Sequence, residues 1–170
     1  LGAVLGREFS YELLRSVSSL DEDLLRIHLQ QLVTGEVLYQ RRQPPDATYI
    51  FKHALFQDAA YGSLLRSTRQ QYHQQIGLVL EEKFPNTAET EPELLAHHFA
   101  EGDPVIGHDK LVHYSQLAGE RALTVYAYEE ALIHFERGLA ARGMALSGTE
   151  PASDEEAAAL LFGLARAWSA

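Results

Sequence analysis

The chain has 170 residues, 46% of them apolar and 22% charged, with a formal net charge of −10. Such a composition is that of an ordinary soluble globular protein of one or two small domains. With no cysteine, disulfides and thiolate metal sites are excluded, and no apolar run approaches the ~18 residues that a membrane helix needs.

The lack of cysteine suits a reducing cytoplasm, and Leu1 to Gly6 lack the basic start and cleavage pattern of a signal peptide. An opening on Leu1 without an initiator Met, and a stop at Ala170 within an apolar helical pattern, read as a piece of a longer protein. Charge is uneven. Residues 1–84 hold 9 Lys/Arg against 10 Asp/Glu, and residues 85–170 hold 5 against 14. Acidity of this kind repels nucleic acid and anionic membrane, and reads as a solvated face or the counterpart of a basic partner.

In chain order, Ser10 caps a short helix to Val17, with Leu13, Leu14 and Val17 on one face. A second helix is predicted from about Asp21 to Thr34, on which Leu24, Leu25, His28, Leu29 and Leu32 recur at helical spacing. Ser19 and Glu22 have capping-box spacing, and Gly35 is placed to end the helix in a left-handed conformation. Val37–Tyr39 and Tyr49–Phe51, separated by Pro44-Pro45-Asp46, predict a two-stranded hairpin. A helix over His53–Leu65 follows, with Leu55, Ala59 and Leu64 inward. Ser67 or Thr68 caps the next one, striped by Tyr72, Ile76, Val79, Leu80 and Phe84 and ended by Pro85.

Residues 86–93 read as a linker. Further helices are predicted over about Glu93–Ala100, His108–Thr124, Tyr128–Arg142 and from near Asp154 onward, with a loop at 143–153. Helices joined by a tight turn at Val125–Ala127 suggest a tetratricopeptide-type hairpin. That repeat sets small residues where helices touch and a large one between them. Gly119, Ala131, Phe135 and Gly138 stand at the expected offsets, and Gly163 looks like the next repeat's counterpart of Gly119, at a separation of 44 rather than ~34 residues, with the 143–153 loop as the insertion. The fold class is therefore mainly α: a winged-helix-like module with a trailing helical pair over 1–84, then a helical linker and the first tetratricopeptide-like hairpins over 85–170.

The segments Leu5-Gly6-Arg7-Glu8-Phe9, Leu29-Gln30-Gln31-Leu32-Val33, Leu38-Tyr39-Gln40-Arg41 and Phe51-Lys52-His53-Ala54-Leu55 through Tyr61 resemble the winged-helix segment of bacterial STAND signalling ATPases, in particular those linked to an adenylate/guanylate cyclase domain. The resemblance implies a regulatory fragment that couples an upstream nucleotide-binding domain to a repeat sensor, with ADP or ATP bound by the parent and none by the fragment. In related STAND proteins a Met-His-Asp motif follows the wing, and its histidine approaches the β-phosphate of ADP. Lys52-His53-Ala54 stands at the matching place. The resemblance thus implies a nucleotide-phosphate contact for His53, although the aspartate position holds Ala54. On the residues alone, His53 reads as packing between hairpin and helix.

Other chemistry is thinly supported. His97 with Glu101 lacks a third metal ligand, and His108 and His113 face differently. No phosphate-cradling Gly-x-x-x-x-Gly-Lys-Ser/Thr and no Gly-x-Ser-x-Gly occurs, and Glu81-Glu82 and Glu155-Glu156 sit in charged faces. The fragment is read as non-enzymatic. The rival reading is a DNA-binding winged-helix regulator with a helical dimerisation region. It would rest on Arg26, Gln30, Gln31 and Thr34 of the second helix and on Arg41, Arg42 and Lys52 of the hairpin, few cations for phosphate contacts. Protein partners are expected through the repeats, and self-association through the last helix, where Leu160, Leu161, Leu164 and Trp168 are apolar.

Overall fold

The computed structural model describes residues 1–144 and 152–169. It is mainly helical, at 69% helix, with a small three-stranded antiparallel sheet. The chain divides into two compact units, Leu1–Lys83 and Phe84–Ala170.

Unit 1 begins with α1 (Gly2–Leu5), β1 (Glu8–Ser10), α2 (Tyr11–Val17) and α3 (Glu22–Thr34). The hairpin β2 (Leu38–Arg41) and β3 (Thr48–Phe51) follows, then α4 (Ala54–Gly62) and α5 (Arg66–Lys83). The expected two-stranded hairpin is one part of a sheet of order β1-β3-β2, in which Glu8, Phe9 and Ser10 pair with Ile50, Tyr49 and Thr48. A three-residue strand carries too little alternation to be read as one, yet its single inward side chain is Phe9, whose ring lies 5.9 Å from Tyr49 and 6.0 Å from Phe51. Ser10 caps α2 as expected, its Oγ accepting from the Leu13 backbone N–H.

The start of α3 departs from the capping box. Asp21 is the N-cap, its carboxylate accepting from the Asp23 N–H at 2.9 Å. At the other end Gly35 has φ −77°, and Glu36, at φ 59°, takes the left-handed position instead. Only Leu25 and Leu29 of the α3 stripe are buried, whereas Leu24, His28 and Leu32 are exposed. The largest correction concerns α4, which runs from Ala54 to Gly62 and buries no residue; Leu55, expected inward, is 77% exposed. On α5, Ile76 and Leu80 are buried as expected, together with His73 and Gln74, while Tyr72 and Val79 are half-buried.

Unit 2 holds α6 (Pro85–Thr90), α7 (Pro92–Glu101), α8 (His108–Thr124), α9 (Tyr128–Ala141) and α10 (Glu155–Trp168). The segment read as a linker is thus largely helix. Pro85 and Pro92 stand in the first turns of α6 and α7, where a missing N–H costs nothing because that group has no intrahelical acceptor. Tyr126, at φ 61°, makes the turn between α8 and α9. The core of the unit is built from Val112, Ala122, Leu123, Ala131, Phe135, Leu139, Leu160 and Ala167. Arg142, just after α9, pairs with Asp154, the N-cap of α10, and with Glu156 at 2.6 Å. Most of the loop expected at 143–153 lies outside the described residues.

Candidate functional site

His53 is the N-cap of α4, reached directly from β3 through Lys52. Its backbone is extended (φ −129°, ψ 138°), and its side chain makes no capping hydrogen bond. The imidazole is exposed and lies edge-on to Phe56, with ring centroids 5.5 Å apart. Backbone N–H groups in the first turn of a helix lack intrahelical acceptors and carry partial positive charge. At this helix start the Phe56 N–H donates to the His53 carbonyl at 3.1 Å, while the imidazole itself is exposed. Lys52 is paired with Glu36 at 3.4 Å.

Beside α4, unit 1 contains an apolar cleft of about 320 Å³. Phe9, Leu38 and Phe51 of the sheet line it, together with Leu25, His28, Leu29 and Leu32 of α3 and Phe56 and Ala60 of α4. Sequence reasoning missed this cleft because it assigned α4 an inward face. A second hollow, of about 310 Å³, lies between α3 and the hairpin, among Arg26, Ile27, Gln30, Gln40, Gln43, Pro44 and Tyr49. Two of the cations that a DNA-reading face would use, Arg26 and Arg41, lie beside carboxylates. Arg26 donates to Glu22 at 2.7 Å and to the Tyr11 hydroxyl at 3.1 Å, and Arg41 lies 3.8 Å from Glu8. Leu24 and Ile27 stand exposed beside them on α3.

In unit 2, Phe135 is fully buried. A methyl group placed on Gly119 would stand 2.6 Å from its ring, and one on Gly163 closer still; one on Gly138 would stand 2.8 Å from Leu160. Gly119 of α8 and Gly163 of α10 thus both lie against the ring of Phe135 of α9. A third hollow, of about 250 Å³, is lined by Glu93, Ala118, Arg121, Ala122, Val125, Glu130 and His134. Arg121 and Glu93 pair there at 2.5 Å. Burial, and then the positive charge of Arg137, hold the His134 pKa below the usual histidine range, against Glu93 and Glu130, which raise it. The Nδ1 of His134 is buried without a hydrogen-bond partner among the described residues.

His98 is buried and His97 exposed, with ring centroids 5.4 Å apart. Among the described residues, no group of three or more His, Cys, Asp or Glu is placed to hold a metal ion, and no helix is long and apolar enough to cross a membrane. No protein-family model matches the chain, no curated protein matches it, and no solved structure matches it.

Proposed function

We propose that the chain is the winged-helix and tetratricopeptide-like segment of a cytoplasmic STAND signalling ATPase of the adenylate/guanylate cyclase-associated type. In this reading it is a non-catalytic regulatory fragment that couples the nucleotide state of an upstream domain to a repeat sensor. The observation that carries the reading is the seating of Phe135 between Gly119 and Gly163, the small–large–small arrangement by which helical repeats stack. The order α2, α3, hairpin in unit 1, with β1 completing the sheet, supports the winged-helix half. Apolar area for protein partners is available on α10, where Phe162 and Trp168 are exposed. DNA binding through α3 is the weaker reading, because Arg26, Arg41 and Lys52 already face carboxylates.

His53 is the group proposed to contact an ADP phosphate, and its support is its exposure at an uncapped helix start. A hydrogen bond to a charged phosphate is worth about 1.5–3 kcal/mol, or roughly a 10- to 100-fold effect on affinity. The test is ADP affinity of the longer protein that contains the nucleotide-binding domain. His53→Ala is expected to weaken ADP by that factor and raise basal output, with circular dichroism unchanged. Equal affinity in an intact fold would reduce His53 to a surface residue.

A further inference from the structure

We infer that the hollow between α3 and the β2–β3 hairpin is a binding site for a small, uncharged, planar molecule of the nucleobase kind, read through hydrogen bonds to one edge of its ring. The proposal is independent of the STAND reading and of His53.

Tyr49 of β3 is 3% exposed and lines this hollow, whose volume is about 310 Å³. Its ring is held by stacking on Phe9, with centroids 5.9 Å apart. Burial, and then the nearby Tyr11, raise its pKa against Arg26, which lowers it, so the phenol keeps its proton. Among the described residues its hydroxyl makes no hydrogen bond. Polar groups of buried side chains are ordinarily paired, and an unpaired one marks a place where water or a ligand completes the set.

The side chains around Tyr49 have matching spare capacity. Arg26 of α3 donates its Nε to the Tyr11 hydroxyl at 3.1 Å and its Nη2 to Glu22 at 2.7 Å, which leaves Nη1 to donate. Gln40 of β2 donates its Nε2 to the Arg42 carbonyl at 2.8 Å and to the Gln43 Oε1 at 3.3 Å. The Gln40 Oε1 is left to accept, and the Gln43 Nε2 is left to donate. Gln30 of α3 donates to Thr34 at 3.4 Å and likewise keeps its Oε1. Donors and acceptors are therefore offered together, from both the helix and the hairpin. Ile27 of α3 and Pro44 of the turn add apolar lining from either element.

This balance selects the ligand. A carboxylate or phosphate offers acceptors only; it would face two amide carbonyls, and the charge of Arg26 is already offset by Glu22. An ammonium group offers donors only and would meet Arg26. The edge of a nucleobase sets an N–H beside a ring nitrogen or carbonyl, the pattern that amide side chains pair with, and its faces accept apolar contact. The hollow is at the lower end of the ~300–1,000 Å³ usual for ligand pockets, which suits one ring system and not a run of bases. With Arg26 and Arg41 both beside carboxylates, a phosphate backbone would gain little there.

The experiment is titration of the full 170-residue chain with adenosine and uridine, followed by calorimetry and by amide chemical shifts, with benzoate as a flat ring that offers acceptors only. At least one nucleoside is expected to bind saturably, with the shifts concentrated on residues 26–30, 40–44 and 49, and benzoate is expected not to compete. Tyr49→Phe removes only the hydroxyl and should weaken binding about 2- to 10-fold, the worth of one neutral hydrogen bond. Gln30→Ala should weaken it by a similar factor, and circular dichroism should show both variants folded. Because the hydroxyl has no partner in the chain, Tyr49→Phe should leave the urea midpoint unchanged. The proposal is overturned if neither nucleoside binds saturably, if benzoate competes equally, or if the shifts fall on the apolar cleft beside α4. It is also overturned if Tyr49→Phe leaves affinity unchanged, or if it lowers the urea midpoint, which would show that the hydroxyl is already paired. His53→Ala should not alter nucleoside binding, so failure here leaves the ADP test intact.

Discussion

α4 and α9 both carry several large apolar side chains, and they meet opposite fates. α9 buries Ala131, Phe135, Gly138 and Leu139, whereas α4 buries nothing. The difference lies less in the helices than in what stands opposite them. Glycines on α8 and α10 remove the side chains that would otherwise collide with the Phe135 ring. Next to α4 there is instead a cleft, and around Gly62 a Cβ would meet nothing within 4 Å. A periodic apolar pattern shows that a helix has a face to bury. It does not show whether the same chain supplies the partner.

The contrast can be broken most severely at Phe135. Phe135→Ala should destabilise unit 2 by about 3–5 kcal/mol, since a fully buried ring leaves a cavity that glycines cannot fill. Gly163→Ala should cost about 1–3 kcal/mol by overpacking, despite the higher helix propensity of alanine. Urea unfolding followed by circular dichroism measures both; a stabilising Gly163→Ala would show that the helices separate easily and that the contact is loose. The matched substitution in the open region is Gly62→Ala. With no neighbour to meet, it should instead stabilise unit 1, by at most about 1 kcal/mol. Opposite signs for the two glycines would establish that packing, and not backbone propensity, separates α4 from the α8–α10 core.

A finer test uses pH. Burial keeps the folded-state pKa of His134 below its unfolded value, so the unfolded chain takes up the proton first as pH falls. The stability that His134 contributes is therefore present above the unfolded pKa and is lost as pH falls from the ordinary histidine range towards the lowered folded value. Wild type should lose more stability over that window than His134→Gln, measured as the difference in urea midpoints between the two proteins. Parallel pH profiles would mean that the ring is solvated in both states.

Much of the fold was readable from local pattern. Helix periodicity placed α3, α8 and α9 closely, Ser10 declared itself as a cap, a helix start was legible near Asp154, and Gly119, Phe135 and Gly138 stood out as small and large residues suited to a helix contact. His53 was also legible, because a histidine between a strand and a helix must fall at the helix start. These features depend on neighbours within a few residues, or on small residues whose purpose is close approach. Other features were decided only by tertiary structure. β1 exists because β3 offers it a pairing edge. Pro85 and Pro92 begin helices, although they look like breakers, because the chain turns at those points to start new ones. The cleft of unit 1, the exposure of Leu24 and Leu55, and the lone buried nitrogen of His134 follow from which surfaces face one another. A linear pattern records which residues prefer to leave water. Whether they can do so depends on packing partners tens of residues away, and for α4 the described chain supplies none.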